Sequence, residues 1–262
     1  MYGIIDTHAH LDELDDIDLV LHEAREAGVI GIVAVSSSPQ SNEVVLCLSE
    51  RYPSFVYPAF GLHPSEVGHL MPNQLDTSLQ FIHENASACV AIGEIGLDYN
   101  KRILKASPKE IQKQALYSQL QLARQLGKPV IIHSRYAWKD CYDAVRESRV
   151  DNAVFHWYTG TSSVRKSLVE EGYYLSATPA TEYHEEHRRA IKDTPLNRLM
   201  IETDCPVSYG RELRYASKPT DALRSVRAVA SLKGISEEVI ARETTQNAQF
   251  FFRLNNLHSG EH

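Results

Sequence analysis

The segment Gly3-Ile4-Ile5-Asp6-Thr7-His8-Ala9-His10 is a short apolar run that leads directly into a carboxylate and two histidines. Seven further apolar, β-branched runs follow it along the 262 residues, and a longer amphipathic stretch comes after most of them. Short apolar runs of this kind indicate buried strands, whereas the amphipathic stretches indicate helices. The eight predicted strands cover residues 3–7, 29–36, 55–60, 89–93, 129–132, 153–155, 173–176 and 199–202.

The alternation of strand and helix predicts a parallel sheet with helices between its strands. Predicted helices over residues 17–27, 109–126 and 164–171 each end before a glycine, and another covers residues 237–252. Because the strands are apolar on both faces, a closed barrel and a doubly wound sheet both fit them. Eight repeats in 262 residues favour the α/β class with a TIM-type (β/α)8 barrel. We expect a single domain over residues 1–262, with an ordinary loop at residues 70–76.

Composition and charge exclude several classes of protein. Hydrophobic residues make up 43% and charged residues 23%, as in ordinary globular proteins, so disordered and fibrous classes are excluded. The net charge of −7 disfavours a general polyanion binder, so any attraction to nucleic acid must be local. The four cysteines form no CxxC pair, which disfavours a zinc knuckle or a disulfide framework. Because the sequence shows no export signal or membrane-spanning run, we predict a cytoplasmic protein that does not act at membranes.

Polar side chains follow five of the eight predicted strands, where packing gives no reason for them. The carboxyl ends of barrel strands share one rim, and barrel enzymes build their active sites there. This rim collects four histidines and two carboxylates, which suits two divalent ions about 3.5–4 Å apart with one bridging carboxylate. The six residues are His8, His10, Glu94, His133, His156 and Asp204. The two-residue period of a strand predicts Asp6 on the same face as His8 and His10. Asp6, Asp98 and Glu202 are interpreted as supporting groups rather than direct ligands.

Such a site would attract and activate a phosphodiester. Two divalent ions and two carboxylates sum to 4 − 2 = +2, which supplies a local attraction that the acidic surface lacks. A metal-bound hydroxide formed near neutral pH could then attack the phosphorus. Two interpretations without a metal are possible: His8 and His10 could be structural histidines, and Glu94 and Asp204 could form structural ion pairs. Both are disfavoured because six residues of the types that bind metals share one rim.

Five motifs in this order make the chain resemble the TatD family of metal-dependent hydrolases. They are Asp6-Thr7-His8-Ala9-His10-Leu11, Gly61-Leu62-His63-Pro64, Gly93-Glu94-Ile95-Gly96-Leu97-Asp98, Pro129-Val130-Ile131-Ile132-His133-Ser134-Arg135 and Ile201-Glu202-Thr203-Asp204-Cys205-Pro206. The resemblance spans essentially the whole chain. It implies a TIM-type barrel, a site with one or two metals, and the nuclease activity found in several members.

The resemblance also implies roles for the matching positions. His8, His10 and Asp204 would hold the first metal, His133 and His156 would hold the second, and Glu94 would bridge the two. Asp204 and Glu94 are the candidate catalytic residues, with Asp204 as general base. His63 and Arg135 would contact the substrate, with a loop hydrogen bond and a rim salt bridge as the respective alternatives.

The chain departs from the family after His156, where Trp157-Tyr158-Thr159-Gly160-Thr161 stands in place of the more common Cys-Phe-Ser-Gly-Ser continuation. The two side chains in question are those of Trp157 and Tyr158. These two side chains would either stack on a base or pack the rim.

The leading hypothesis is a divalent-metal-dependent deoxyribonuclease or phosphodiesterase that trims single-stranded DNA in the manner of a 3′–5′ exonuclease. The alternative keeps the metals and changes the bond, as in an ester or amide hydrolase such as a D-aminoacyl-tRNA deacylase. A metal-binding scaffold within a larger assembly is disfavoured, because a full ligand set and a candidate base are present. Two divalent ions are expected, chosen among Zn²⁺, Mn²⁺, Mg²⁺ and Fe²⁺, and no obligate protein partner is evident.

Overall fold

The computed structural model describes residues 2–254, and eight parallel strands form its central sheet. Each strand pairs with its neighbours in chain order, as in a (β/α)8 barrel. All eight predicted runs overlap one of these strands, so the predicted α/β class is confirmed. The strands are β1 Ile4–Ala9, β2 Val29–Val35, β3 Val56–Phe60, β4 Ala91–Gly96, β5 Val130–His133, β6 Ala153–Phe155, β7 Tyr174–Ala177 and β8 Leu199–Ile201.

The sheet closes where the chain beyond β8 meets β1. Asp204 donates its backbone N–H to the His8 carbonyl at 2.9 Å, and His10 donates to the Cys205 carbonyl at 2.9 Å. Ala9 and Cys205 form a parallel bridge at the same place. These contacts agree with the predicted TIM-type barrel, and they bring the ends of the first and last strands together on the carboxyl rim.

The α-helices lie between successive strands, except for the last two, which follow β8. They are α1 Ile17–Glu26, α2 Pro39–Arg51, α3 Gln74–Glu84, α4 Ile103–Ala106, α5 Lys109–Leu126, α6 Trp138–Glu147, α7 Ser162–Glu170, α8 Glu185–Asp193, α9 Ala222–Lys233 and α10 Glu237–Phe252. Short 3-10 helices cover Leu11–Glu13, Val67–His69, Pro179–Glu182, Leu196–Arg198 and Pro219–Asp221. A hairpin of β9 Ser208–Tyr209 and β10 Tyr215–Ala216 follows β8 and has no counterpart among the predicted elements.

The predicted loop at residues 70–76 is wrong at its end, because α3 already begins at Gln74. Asn73, which precedes it, has φ of 69° and makes no side-chain capping hydrogen bond. Asparagine is a residue type favoured before a helix, so the sequence did offer a signal for this start.

Both faces of the sheet are buried, because adjacent residues of a strand pack in different apolar clusters. Ile4 packs in the cluster between strands and helices, whereas Ile5 packs in the cluster that contains Phe251 and Phe252 of α10. A fully buried Ile or Val side chain contributes about 1.5–3 kcal/mol. This two-sided burial explains why the strands are nearly continuous apolar runs.

The predicted domain of residues 1–262 includes Met1 and residues 255–262, which lie outside the described residues. Within residues 2–254, no helix combines the length and the apolar character that crossing a bilayer requires.

Candidate metal centre

Glu94, near the end of β4, lies at the centre of a cluster of histidines on the carboxyl rim. Its side chain is 2% exposed. One carboxylate oxygen, Oε2, lies 3.5 Å from His8 Nε2 and 3.4 Å from His10 Nε2. The other oxygen, Oε1, faces the histidines that follow β5 and β6. A carboxylate whose two oxygens face separate sets of imidazoles is suited to bridge two cations.

Asp204 completes the first group of ligand-type atoms. Its Oδ1 lies 3.4 Å from His8 Nε2 and 3.5 Å from His10 Nε2. Metal–ligand bonds of about 2.0–2.2 Å place neighbouring donor atoms roughly 3.0–3.6 Å apart. Both ring nitrogens of His8 are buried without a hydrogen-bond partner, which is rare for a fully buried imidazole. The spacing and the unpaired nitrogens both fit a divalent ion in this group.

The second group comprises His133 and His156. Glu94 Oε1 lies 2.7 Å from His133 Nδ1 and 2.6 Å from His156 Nε2. His63 adds a third imidazole, with Nε2 3.6 Å from the same oxygen. The structure therefore places His63, predicted as a substrate contact, within a set with Glu94 and His133 whose atoms are close enough to share one ion.

Two further carboxylates lie behind the second group. Asp98 Oδ2 is 3.3 Å from His133 Nε2, and Glu202 Oε1 is 3.7 Å from His156 Nδ1. Glu202 Oε1 also accepts the backbone N–H of Trp157 at 2.9 Å. Carboxylates in such positions orient imidazoles and raise their basicity. Two divalent ions with Glu94 and Asp204 would sum to the predicted +2, and counting Asp98 and Glu202 as well would give 4 − 4 = 0.

Asp6 does not contact the histidine rings, although strand alternation predicts it on their side. Its carboxylate accepts hydrogen bonds from Thr203 N at 2.9 Å, from Thr203 Oγ1 at 2.6 Å and from His8 N at 3.3 Å. The register of β1 is irregular between Asp6 and Ala9, which interrupts the alternation. Burial raises the pKa of Asp6 to about 8 in spite of these hydrogen bonds. Asp6 thus fixes the chain after β8 against β1.

The carboxylates of the cluster shift the pKa values of its histidines. Burial disfavours the imidazolium form, but Asp204 and Glu94 hold the pKa of His10 well above its usual value. Glu94 likewise outweighs burial at the other group, so the pKa of His156 is well above its usual value and that of His133 is raised. In the absence of a metal, the carboxylates stabilise the protonated imidazoles. A divalent cation bound between the same groups would be stabilised by the same carboxylates.

The carboxylates respond in the opposite direction. Burial alone would raise the pKa of Glu94, but the surrounding imidazoles, His156 foremost, hold it well below its usual range. Burial also acts against the ionised form of Asp204, and the hydrogen bond from His10 leaves the pKa of Asp204 lowered. Both carboxylates are therefore ionised at neutral pH.

His63 differs from the other histidines of the cluster. Burial lowers the pKa of its imidazole to about 3, so the ring is neutral. Its Nδ1 accepts the backbone N–H of Ser65 at 3.1 Å, which selects the tautomer with the proton on Nε2. The sequence analysis did not identify Ser65, which hydrogen-bonds to His63, or Thr203, which hydrogen-bonds to Asp6. The available signal was a hydroxyl residue within two positions of a candidate site residue.

Arg135 and the pair Trp157-Tyr158 lie outside the cluster. Arg135 is exposed, makes no ion pair within residues 2–254, and holds its guanidinium 5.6 Å from the ring centre of Tyr136. Tyr158 is fully buried and donates its O–H to a backbone carbonyl at 2.9 Å, so it packs the rim. Trp157, with φ of 38°, packs its ring 5.3 Å from that of Tyr209.

Comparison with known proteins identifies the family. The family model described as TatD related DNase matches residues 5–253. Human Deoxyribonuclease TATDN3 is 35% identical over 268 residues, which cover 97% of this chain and 97% of that protein. The 3′-5′ ssDNA/RNA exonuclease TatD of Erwinia tasmaniensis is 30% identical over 249 residues, covering 91% of this chain and 94% of that protein. The crystal structure of YJJV, a TatD homologue from Escherichia coli, matches with a TM-score of 0.87 and 28% identity over 95% of this chain and 98% of that chain. Fold, site and similarity lead to one conclusion: this chain belongs to the TatD related DNase family.

Proposed function

We propose that this chain is a divalent-metal-dependent deoxyribonuclease that shortens single-stranded DNA from its 3′ end. The observation that carries the proposal is the position of Glu94, whose two oxygens face two separate groups of imidazoles. Two-metal sites with a bridging carboxylate are typical of enzymes that cleave phosphodiesters. Family membership supports the choice of bond, and the 3′-5′ exonuclease activity named for the Erwinia relative supports the polarity and the single-stranded substrate.

Two divalent ions are the proposed cofactors. His8, His10 and Asp204 would hold the first, His133 and His156 would hold the second, and Glu94 would contact both. Imidazole and carboxylate donors suit Zn²⁺, Mn²⁺ and Fe²⁺ better than Mg²⁺, which prefers oxygen ligands. When bound, such ions polarise the phosphodiester and make water acidic enough to ionise near neutral pH.

Asp204 is the proposed general base. Its lowered pKa keeps the carboxylate ionised at neutral pH, so it can accept a proton from the attacking water. Its side chain is 8% exposed, whereas that of Glu94 is 2% exposed. Asp204 is therefore the carboxylate nearer to solvent. Glu94 is more deeply buried and contacts histidines of both groups.

His63 and Arg135 are the proposed substrate contacts. The neutral ring of His63 carries its proton on Nε2, so it can donate a hydrogen bond to a phosphate oxygen. Arg135 presents a guanidinium with no carboxylate partner within residues 2–254, and its planar fork of donors matches a phosphate.

The aminoacyl-ester alternative receives no support from the relatives described above. Nucleic acid is the proposed partner of the site. The cytoplasmic location and the lack of an obligate protein partner stay predictions.

Digestion of single-stranded DNA that is labelled separately at its 5′ and 3′ ends tests the proposed function. With Mn²⁺ or Mg²⁺, we expect the 3′ label to be released first, and we expect EDTA to stop the release. Asp204→Asn should reduce the rate at least 100-fold with unchanged circular dichroism, while Asp151→Asn, an exposed change far from the rim, should be neutral. Intact DNA in the presence of protein with two measured ions per chain would refute the proposed activity.

A further inference from the structure

The charges around the carboxyl rim are distributed unevenly. Residues 99–109, between β4 and α5, contain four lysines or arginines and no carboxylate. Residues 11–18, which follow β1, contain five carboxylates and no lysine or arginine. Asp18 pairs with Arg51, and the remaining four carboxylates still make the side of β1 less favourable for a polyanion than the side of β4.

Residues 99–109, the basic segment, begin directly after Asp98, which contacts His133 of the candidate metal centre. Tyr99, next to Asp98, donates its backbone N–H to the Arg135 carbonyl at 2.9 Å, which places the segment beside the loop that follows β5. At its other end, Ser107 Oγ donates to the Ser65 carbonyl at 3.0 Å. The segment therefore lies between the loop of His63 and the loop of Arg135.

The cations of this region are free to bind a ligand. Lys101, Arg102, Lys105 and Arg135 are exposed, and none of them makes an ion pair with a carboxylate in the described part of the chain. Elsewhere on the same side, lysines are paired. Lys113 lies 2.9 Å from Asp140, and Lys139 lies 2.7 Å from Asp143.

An aromatic side chain lies beside these cations. Tyr136 is 56% exposed, with its ring centre 5.6 Å from the Arg135 guanidinium carbon and 6.0 Å from the ring of Trp138. Its backbone has φ of 58°, a conformation that costs free energy for a non-glycine residue. A large exposed ring held against an aromatic neighbour is a surface on which a base can stack.

The candidate metal centre would contribute little net charge to substrate binding if Asp98 and Glu202 are counted with its ligands. The four buried carboxylates would then cancel the charge of two divalent ions, so the centre itself would attract a nucleic acid strand weakly. Unpaired cations interleaved with an exposed aromatic ring are the usual means by which proteins hold single strands.

We propose that Lys101, Arg102, Lys105, Arg135 and Tyr136 form a basic tract that binds the part of a single-stranded nucleic acid lying beyond the cleaved phosphate. The tract directs the strand across the loops after β4 and β5, away from the carboxylates after β1. This inference rests on the proposed function, because it assumes that the cleaved bond lies at the metal centre.

A triple variant with Lys101→Gln, Arg102→Gln and Lys105→Gln tests the tract. The matched control is Arg124→Gln, Arg149→Gln and Lys192→Gln, which removes three exposed cations near the carboxyl ends of α5, α6 and α8, on the opposite face of the barrel. Binding of a labelled 20-nucleotide DNA strand to each protein in EDTA is followed by fluorescence anisotropy over a range of salt concentrations. We expect the tract variant to bind at least tenfold more weakly at low salt, with a salt slope smaller by about 2, since each phosphate contact on a single strand contributes about 0.7.

Tyr136 is tested separately. Tyr136→Ala should weaken binding of the 20-nucleotide strand about fivefold or more, and Tyr136→Phe should restore it, because both rings stack on a base. Equal loss in the two variants would overturn the stacking role.

Turnover by the metal-loaded protein completes the test. For the tract variant, we expect the ratio of kcat/KM on the 20-nucleotide strand to kcat/KM on a dinucleotide to fall at least tenfold, through KM. Identical affinities, salt slopes and ratios in the tract and control variants would overturn the basic tract. Wild-type protein that cleaves no DNA would refute the proposed function. If the tract variant then still binds DNA more weakly than wild type, the basic tract is supported independently.

Discussion

Replacing Glu94 by Gln is the most direct perturbation of the candidate metal centre. The change keeps the shape of the side chain and removes the charge that four imidazole nitrogens approach within 2.6 to 3.5 Å. Removing one partner from a buried set of paired charges costs about 3–5 kcal/mol. At about 1.4 kcal/mol for each factor of ten, the affinity for a divalent ion should fall roughly 100- to 4,000-fold.

Metal content and calorimetry measure this loss. We expect wild-type protein to retain two ions per chain after gel filtration and Glu94→Gln to retain one or none. Titration with Mn²⁺ should show the weakened affinity directly. Glu94→Asp keeps the charge on a shorter side chain and should lose less. Glu84→Gln, an exposed change on α3, is the control and should match wild type.

Full retention of two ions by Glu94→Gln would refute the bridging position of this carboxylate. A circular dichroism spectrum and melting temperature are required for each variant, so that loss of metal is separated from loss of fold. A folded Glu94→Gln that binds both ions with wild-type affinity would contradict the reasoning, because neither group of histidines would then depend on the shared carboxylate.

Three further predictions concern the same rim. Asp204→Asn should weaken binding of one ion while the other is retained, because Asp204 contacts only the first group of histidines; metal content after gel filtration reports the result. The stabilisation of the metal-free chain by imidazoles with raised pKa values is complete below pH 6.5 and is lost as the pH rises through their folded pKa values. Since divalent ions displace these protons, the increase in melting temperature on adding Mn²⁺ should be larger at pH 8 than at pH 6, and a constant increase would contradict the assigned ligands. Gly96→Ala should lower the free energy of unfolding by about 2 kcal/mol or more, because a Cβ there would lie 1.9 Å from the His133 carbonyl oxygen at φ of 152°. Urea denaturation checks this against Gly127→Ala, whose Cβ would meet nothing within 4 Å and should cost about 1 kcal/mol.

The barrel could be predicted because its pattern is local. Each strand is apolar on both faces, since one face meets the helices and the other meets the interior, and this appears in the sequence as a continuous run. The hairpin of β9 and β10 was missed because its strands are two residues each, too short to show any period. The start of α3 was missed although Asn73, a residue type favoured before helices, was an available signal.

The position of the candidate site could be predicted only from the residues at which strands end. Parallel strands of a barrel end on one rim, so residues far apart in sequence, such as Glu94 and Asp204, are expected together there. In the structure, the carboxylates of Glu94 and Asp204 both lie within 3.5 Å of His8 and His10. Their roles as ligands stay a prediction, which the metal measurements above test.

The sequence by itself determined the eight strands, their order and the rim on which the polar residues gather, because all three follow from local hydrophobic pattern and chain direction. Tertiary structure alone decided which groups meet. Strand alternation predicts Asp6 near the histidines, but the irregular register of β1 turns it to Thr203, 197 positions away. Tertiary structure also brought His63 beside Glu94 and placed Asp98 and Glu202 behind the histidines of the second group. Distances between strands depend on register and closure of the whole barrel, which no local stretch of sequence encodes.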